Sequence, residues 1–225
     1  MKVYNVGLIG CGRIGTLLEK DALRGKPCTH AGGFSALSNA KIVAGCDIDH
    51  SRLQRFSMDW GINRLYKDYR EMLALGKLDI VCIATWTNLH ASMVMDAARS
   101  GVKAIFCEKP IALNLDDARQ MVRICKSKNI PLIINHERRW DSYYKKAHQI
   151  IKSGKIGEIR TIIGNTLSSS PGKKSTCNYG GGALFHDGTH LTDLLLLFAG
   201  PAEWVSGHDI RPHGKKHIEE TAYGM

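Results

Sequence analysis

No apolar run in this sequence approaches the roughly 18 residues that would suggest a membrane span. The longest candidate, Leu194 to Phe198, is far too short. No C-x-x-C pair occurs among the seven cysteines, Cys11, Cys28, Cys46, Cys82, Cys107, Cys125 and Cys177. Their number is odd, and Cys46, Cys82 and Cys107 sit in or at the end of apolar runs, where free thiols pack as small hydrophobes. This argues against a disulfide frame or a structural zinc site and for a reducing compartment. The N-terminal stretch Met1 to Gly10 has no small-residue cleavage site and runs straight into a Gly-rich turn. It reads as a buried strand and not as a signal peptide. A cytoplasmic protein without a membrane partner is expected.

Acidic residues are in the minority, 21 against 31 Lys and Arg, a formal charge of +10. Such a balance raises the question of an anionic partner. The basic residues are scattered, however: no run reaches five, and no aromatics interleave with them in an RNA-binding pattern. A solvated basic surface is the better reading, with no nucleic acid expected. Internal repeats and long low-complexity segments are absent as well.

What is present is an alternation. Short runs rich in Val and Ile cover Val3 to Ile9, Lys41 to Cys46, Asp79 to Ala84, Val102 to Cys107 and Pro131 to Ile134. They lack polar alternation, as strands of a parallel sheet covered on both faces do. Helical patterns lie between them at Ile14 to Leu23, His50 to Trp60, His90 to Ser100 and Asn114 to Lys128. In the last, Leu115, Ala118, Met121, Val122 and Cys125 recur at helical spacing, with Asn114 placed as N-cap and Asp116 and Asp117 in the first turn. Repeated β-α-β units predict an α/β fold with an N-terminal Rossmann, doubly wound parallel sheet over residues 1–135. The pattern changes near Asn135. A helix is expected from Trp140 to Ser153, a strand from Glu158 to Leu167, a loop from Ser168 to Gly182, a helix from Ala183 to Phe198 and a further strand near Glu203. Residues 136–225 thus read as a partial α+β domain. The 225 residues leave room for two small domains only.

The first strand leads into Gly10-Cys11-Gly12-Arg13-Ile14-Gly15, a G-x-G-x-x-G motif with a strand before it and a helix predicted after it. Gly10 allows the tight turn, Gly12 lets the backbone approach a pyrophosphate, and Gly15 permits close packing of helix and strand. The helix start supplies N–H groups to phosphate. Asp47 ends the second strand, where a carboxylate accepts the ribose hydroxyls of NAD and repels the 2′-phosphate of NADP. Its distance from the glycines is long because Arg24 to Ser38 reads as an enlarged loop, and nearby Arg52 leaves NADP open. Lys109, in Cys107-Glu108-Lys109-Pro110, falls at the carboxyl end of a strand, where ligands bind in open α/β sheets. Pro110 disfavours helical geometry at Lys109, and an ammonium there can donate to a substrate oxygen or exchange a proton.

Taken together in order, Gly10 to Gly15, Ala84-Thr-Trp-Thr-Asn-Leu-His90, Glu108-Lys-Pro110, Gly154-Lys-Ile-Gly-Glu158 and Gly180-Gly-Gly-Ala-Leu-Phe-His-Asp-Gly-Thr-His190 with Asp193 resemble the glucose-fructose oxidoreductase / inositol dehydrogenase / rhizopine-catabolism (Gfo/Idh/MocA) family. The resemblance covers nearly the whole chain. It implies a Rossmann domain for NAD(P), a second domain with an open mixed sheet that usually also forms a dimer face, and hydride transfer on a secondary alcohol of a sugar, cyclitol or polyol. It places Lys109 at substrate and nicotinamide, with Glu108 beside it. Thr85, Asn88 and His90 fall in a cofactor-lining loop, though Trp86 stands where the family usually has Pro. His190 matches the histidine that moves the substrate proton, and imidazole suits that work near neutrality. Arg139 matches a frequent family arginine, and His136 and Glu137 are candidate substrate contacts. The family often has Asp four residues before the histidine. Here that position is His186, and Asp187 follows it.

On one continuous helix His186 and His190 would share a face and form a relay with Lys109. They would also make two metal ligands, but a catalytic zinc needs three and no third is evident, so no metal is expected. The departure at His186 motivates an alternative, a regulatory or scaffold protein that binds the cofactor with little turnover. Against the family pattern the chain is short, which implies a complete cofactor domain, an incomplete substrate domain, and a homo-oligomer only where the second domain is whole. Substrate determinants are expected in the loop Ser168 to Tyr179.

Overall fold

The computed structural model describes residues 2–167, 182, 184–211 and 221–225. It divides into two compact units, Met1–Ile134 and Asn135–Met225.

The first unit is a six-stranded sheet with helices on both faces. Its strands are β1 (Tyr4–Ile9), β2 (Ala40–Cys46), β3 (Leu65–Tyr66), β4 (Ile80–Ile83), β5 (Ala104–Glu108) and β6 (Leu132–Asn135), in the order β3-β2-β1-β4-β5-β6. The pairs β1–β2, β1–β4, β2–β3 and β4–β5 are parallel. The order reverses between β1 and β4, the crevice where doubly wound sheets bind ligands. Helices α1 (His30–Ser35), α2 (His50–Trp60), α3 (Tyr69–Leu75), α4 (Thr87–Arg99) and α5 (Leu115–Ser127) connect the strands. Several helix starts are written in the sequence as acceptor side chains. The Asp49 carboxylate accepts the N–H groups of Ser51 and Arg52, and Asn114 accepts that of Asp117 at 2.8 Å.

Alternation along the strands builds two cores. Val6, Leu8, Cys82 and Ala84 join Ala31, Leu53 and Phe56 on the face of α1 and α2. Ile9, Val81, Ile83, Ile105 and Cys107 join Met72, Val94, Ala97 and Met121 on the opposite face. In β2 the alternation breaks. Ile42 lies in the first core and Ala44 and Cys46 in the second, although all three are even-numbered. The cause is a bulge: Val6 pairs with Ile42 but Gly7 with Ala44, leaving Val43 as an extra residue. Every side chain after it changes face.

Three expectations for this unit need correction. The predicted helix Ile14 to Leu23 shrinks to a turn and a short 3-10 segment, Leu17–Lys20. The supposed loop Arg24 to Ser38 contains α1, because Thr29 caps it by accepting the Gly32 N–H at 3.1 Å. Strand β3 and helix α3 escaped the periodicity reading because a two-residue strand and a seven-residue helix are too short to show a period.

The second unit opens with a 3-10 turn, Glu137–Arg139, followed by α6 (Ser142–Lys152), whose start Asp141 caps. A π-helical turn, Leu184–Gly188, leads into α7 (Thr189–Ala199). Strands β7 (Gly207–Ile210) and β8 (Thr221–Gly224) pair antiparallel. The expected strand Glu158 to Leu167 is not one: residues 158–167 carry no regular structure. An apolar, β-prone run becomes a strand only when a neighbour takes its N–H and C=O groups, and among the described residues none does. The predicted loop Ser168 to Gly182, apart from Gly182, and Ala183 lie outside the described residues.

Candidate active site

The glycine loop follows β1 at the switch point. Gly10 has φ +96°, a left-handed conformation, and a side chain there would meet Ala84 O at 2.5 Å. A side chain at Gly15 would strike the Gly10 carbonyl, so the loop closes only with glycine at both ends. Gly12 differs: the nearest atom to a methyl group there is Arg52 Nη1 at 3.7 Å, which leaves its face open. Arg13 is exposed, whereas the Ile14 side chain packs into the core. The turn then winds through Thr16 N–H to Gly12 O at 2.9 Å, so Gly12 to Gly15 head a helical turn whose first N–H groups have no internal acceptor. Cys11 is fully buried, and burial pushes its thiol far above the ordinary range.

Asp47 ends β2 against this loop. Its carboxylate is 8 % exposed and accepts the N–H of Cys11 on Oδ2 and that of Asp49 on Oδ1, both at 2.9 Å. Arg52 Nη1 stands 3.9 Å from Oδ2. Each carboxylate oxygen keeps a further lone pair, so two hydroxyls can still be accepted.

The segment after β4 is placed differently from expectation. Thr85 is half-buried, with its hydroxyl on Met93 Sδ at 3.4 Å, and Trp86 is exposed. Asn88 is exposed in the first turn of α4, and His90 lies two residues further along the same helix. His90 is 0 % exposed, with Nδ1 2.8 Å from Pro110 O and Nε2 3.1 Å from Thr85 O. Burial lowers its pKa, against the pull of those two carbonyls. His90 therefore ties the β4 loop to the β5 loop from inside the core.

Glu108, the last residue of β5, is buried. Its Oε1 lies 2.8 Å from His30 Nε2 on α1, and its Oε2 accepts the Lys109 N–H at 3.2 Å. Burial alone drives an imidazole toward neutrality, but the neighbouring Cys82 and Glu108 more than offset it and raise His30 to about 10. Lys109 is half-buried, and its peptide bond to Pro110 is cis. Sequence reasoning missed His30 altogether. It lies within the segment taken for a loop, 78 residues before its partner.

In the second unit, Arg139 Nε donates to Asp193 Oδ2 at 2.7 Å, pinning the 3-10 turn to α7 and raising the guanidinium pKa further. His190 is buried in α7, with Nδ1 3.5 Å from Glu137 Oε2 and its ring edge-on to His136 at 6.4 Å. His186 is half-buried and donates its backbone N–H to Gly182 O at 2.8 Å. It lies in the π-helical turn while His190 lies in α7, so the register expected of one continuous helix does not apply. Asp187 belongs to the same turn. Among the described residues no cluster of three or more His, Cys, Asp or Glu could hold a metal ion. No helix of the described residues is long and apolar enough to cross a membrane.

Strand order, a glycine loop at the switch point and a carboxylate beside it define a dinucleotide-binding domain. Residues 4–136 match the GFO/IDH/MocA oxidoreductase family, NAD-binding Rossmann fold, and residues 144–225 match the GFO/IDH/MocA C-terminal domain, so the chain belongs to this family. It is 37 % identical over 157 residues to D-apiose dehydrogenase of Paraburkholderia graminis, covering 70 % of this chain and 38 % of that protein. It is 28 % identical over 195 residues to myo-inositol 2-dehydrogenase of Thermotoga maritima, covering 87 % and 54 %. The WlbA dehydrogenase of Bordetella pertussis, solved with NADH and UDP-GlcNAcA, superposes with a TM-score of 0.83 at 25 % identity, over 99 % of this chain and 66 % of that one. The chain spans between 38 % and 54 % of the length of these curated relatives. Both are named dehydrogenases, which lends the regulatory or scaffold reading no support.

Proposed function

We propose that this chain is the NAD-binding and partial substrate-binding portion of a dehydrogenase acting on a secondary alcohol of a sugar, cyclitol or related polyol. The observation that carries the reading is Asp47 turned against the glycine loop, with the Gly12 face left open. That cradle fits a dinucleotide: Gly10, Gly12, Arg13, Ile14 and Gly15 offer backbone to the pyrophosphate, and Asp47 offers its carboxylate to ribose. Arg52 supplies a cation that would pair with a 2′-phosphate, so NADP is the second cofactor to test. Thr85 and Asn88, at the start of α4, are assigned to the cofactor side. The names of the apiose and inositol dehydrogenases support the polyol class.

A nicotinamide held in this cradle would supply the hydride acceptor or donor. The Lys109 ammonium donates to the substrate oxygen and holds it in place. His190 takes or returns the hydroxyl proton, and His186 is assigned to assist at the substrate.

Isothermal titration tests the reading. NAD is expected to bind, and Asp47→Ala to weaken it at least about tenfold, the loss of one charge-assisted contact. Binding of neither NAD nor NADP overturns the proposal. With an apiose and inositol panel, reduced-cofactor absorbance is expected to rise in the wild type and to stay flat in Lys109→Ala.

A further inference from the structure

We propose that His30 is a positioning residue for Lys109, acting through the buried Glu108 carboxylate. The inference rests on the reading of Lys109 as the group that meets the substrate. Lys109 has one anchor on each side. Before it, the Glu108 carboxylate is held by His30 at 2.8 Å and itself accepts the Lys109 N–H at 3.2 Å. After it, the Pro110 carbonyl oxygen lies 2.8 Å from His90 Nδ1. The side chains of His30 and Glu108 are only 4 % and 9 % exposed.

Bulk packing does not require such a pair, since apolar residues of similar volume usually serve stability as well or better. A buried hydrogen-bonded pair is satisfied in few geometries, and this one sits at the residue next to the reactive amine. The His30 end is rigid in turn. The Phe106 ring meets the imidazole edge-on, at 5.4 Å between centroids. The residue before it, Thr29, donates its N–H and hydroxyl to Glu19 Oε2 at 2.9 and 2.6 Å, and Cys28 N–H reaches the same oxygen at 3.1 Å. A connected frame therefore runs from the 3-10 segment at Glu19 through α1 to the end of β5. Support of this kind keeps a reactive group within a fraction of an ångström of its working position.

The test compares wild type with His30→Gln, His30→Leu and the double variant His30→Leu/Glu108→Leu. Two measurements are made on each: the resonance of ¹³C-methylated Lys109, assigned with Lys109→Arg, and steady-state kinetics of the unmethylated protein. His30→Leu takes the imidazole away from a buried carboxylate and is expected to lower the unfolding midpoint. The double variant removes both polar partners and is expected to recover it. If His30 positions Lys109, the double variant still shows a displaced Lys109 resonance and a kcat down about 100-fold, the cost of misplacing a reacting group by about 1 Å. Its affinity for NAD stays near wild type. His30→Gln retains an N–H toward Glu108 and is expected to restore the wild-type resonance.

An unchanged Lys109 resonance in the double variant, or recovery of kcat together with stability, overturns the proposal. Should His30→Leu alone fail to fold, the double variant and His30→Gln decide it. Absence of turnover in the wild type would overturn the dehydrogenase reading instead, and the Lys109 resonance would still decide for or against His30.

Discussion

Among the described residues, Leu194 is the one apolar residue of the second unit as deeply buried as the core of the first. In Met1–Ile134, helices on both faces of one sheet close two cores around residues such as Phe56, Met72, Ile83, Ile105 and Met121, each at most 2 % exposed. In Asn135–Met225 the described contacts join the start of the unit to α7: Arg139 on Asp193, Tyr144 and His148 against Phe198, and His136 against His190. Ile163, Leu167, Leu196, Trp204 and Val205 stay exposed. The difference teaches that a sheet covered on both faces is self-sufficient, whereas the described helices and hairpin of the second unit bury little of one another. In the first unit rigidity comes from packing. Among the described residues of the second, it comes from a few polar and aromatic contacts.

Substitutions can break that comparison. Phe56→Ala should cost about 3–5 kcal/mol in denaturant unfolding, because it empties a closed core, while Leu196→Ala should stay within about 0.5 kcal/mol. Equal losses would mean that the second unit has a core of its own. The next effect is in pH. His30 is raised from the ordinary value of 6.5 to about 10, so its folded form holds the proton more tightly than the unfolded chain. Its contribution is full below pH 6.5 and is lost as pH climbs toward about 10, with a slope of at most about 1.4 kcal/mol per pH unit. Unfolding measured across that window should show the decline in wild type and a flatter curve in His30→Gln. A parallel slope in both would place the titrating group elsewhere. The smallest effect is in the second unit. Arg139→Met strands the Asp193 carboxylate and should lower hydrogen-exchange protection of α7 by about 1–2 kcal/mol, leaving β1 to β5 unaffected. Loss of protection throughout the chain would show that the two units unfold together.

The order of strands and helices through residue 135 was legible because period and composition are local properties. The motifs Gly10 to Gly15, Asp47 and Lys109 could be read for the same reason: each carries its chemistry in a few adjacent residues. His30 could not be found that way, since nothing near Thr29 or Ala31 announces a partner at position 108. His90 was misplaced because a motif match says nothing of direction. The ring turns inward onto two carbonyls. The segment Glu158 to Leu167 has the right residues for a strand, but a strand is a property of a pair.

By itself, the sequence determined which residues could form a glycine turn, cap a helix or end a strand with a carboxylate. The tertiary structure decided which way those residues face. Asp47 meets the glycine loop because Val43 is an extra residue in β2, and without that bulge the alternation would carry Asp47 to the opposite face of the sheet. Lys109 is bracketed by Glu108 with His30 and by Pro110 with His90 because three segments distant in sequence converge at the end of β5. Periodicity and propensity act over a few residues, whereas register and burial are settled only when remote segments pack.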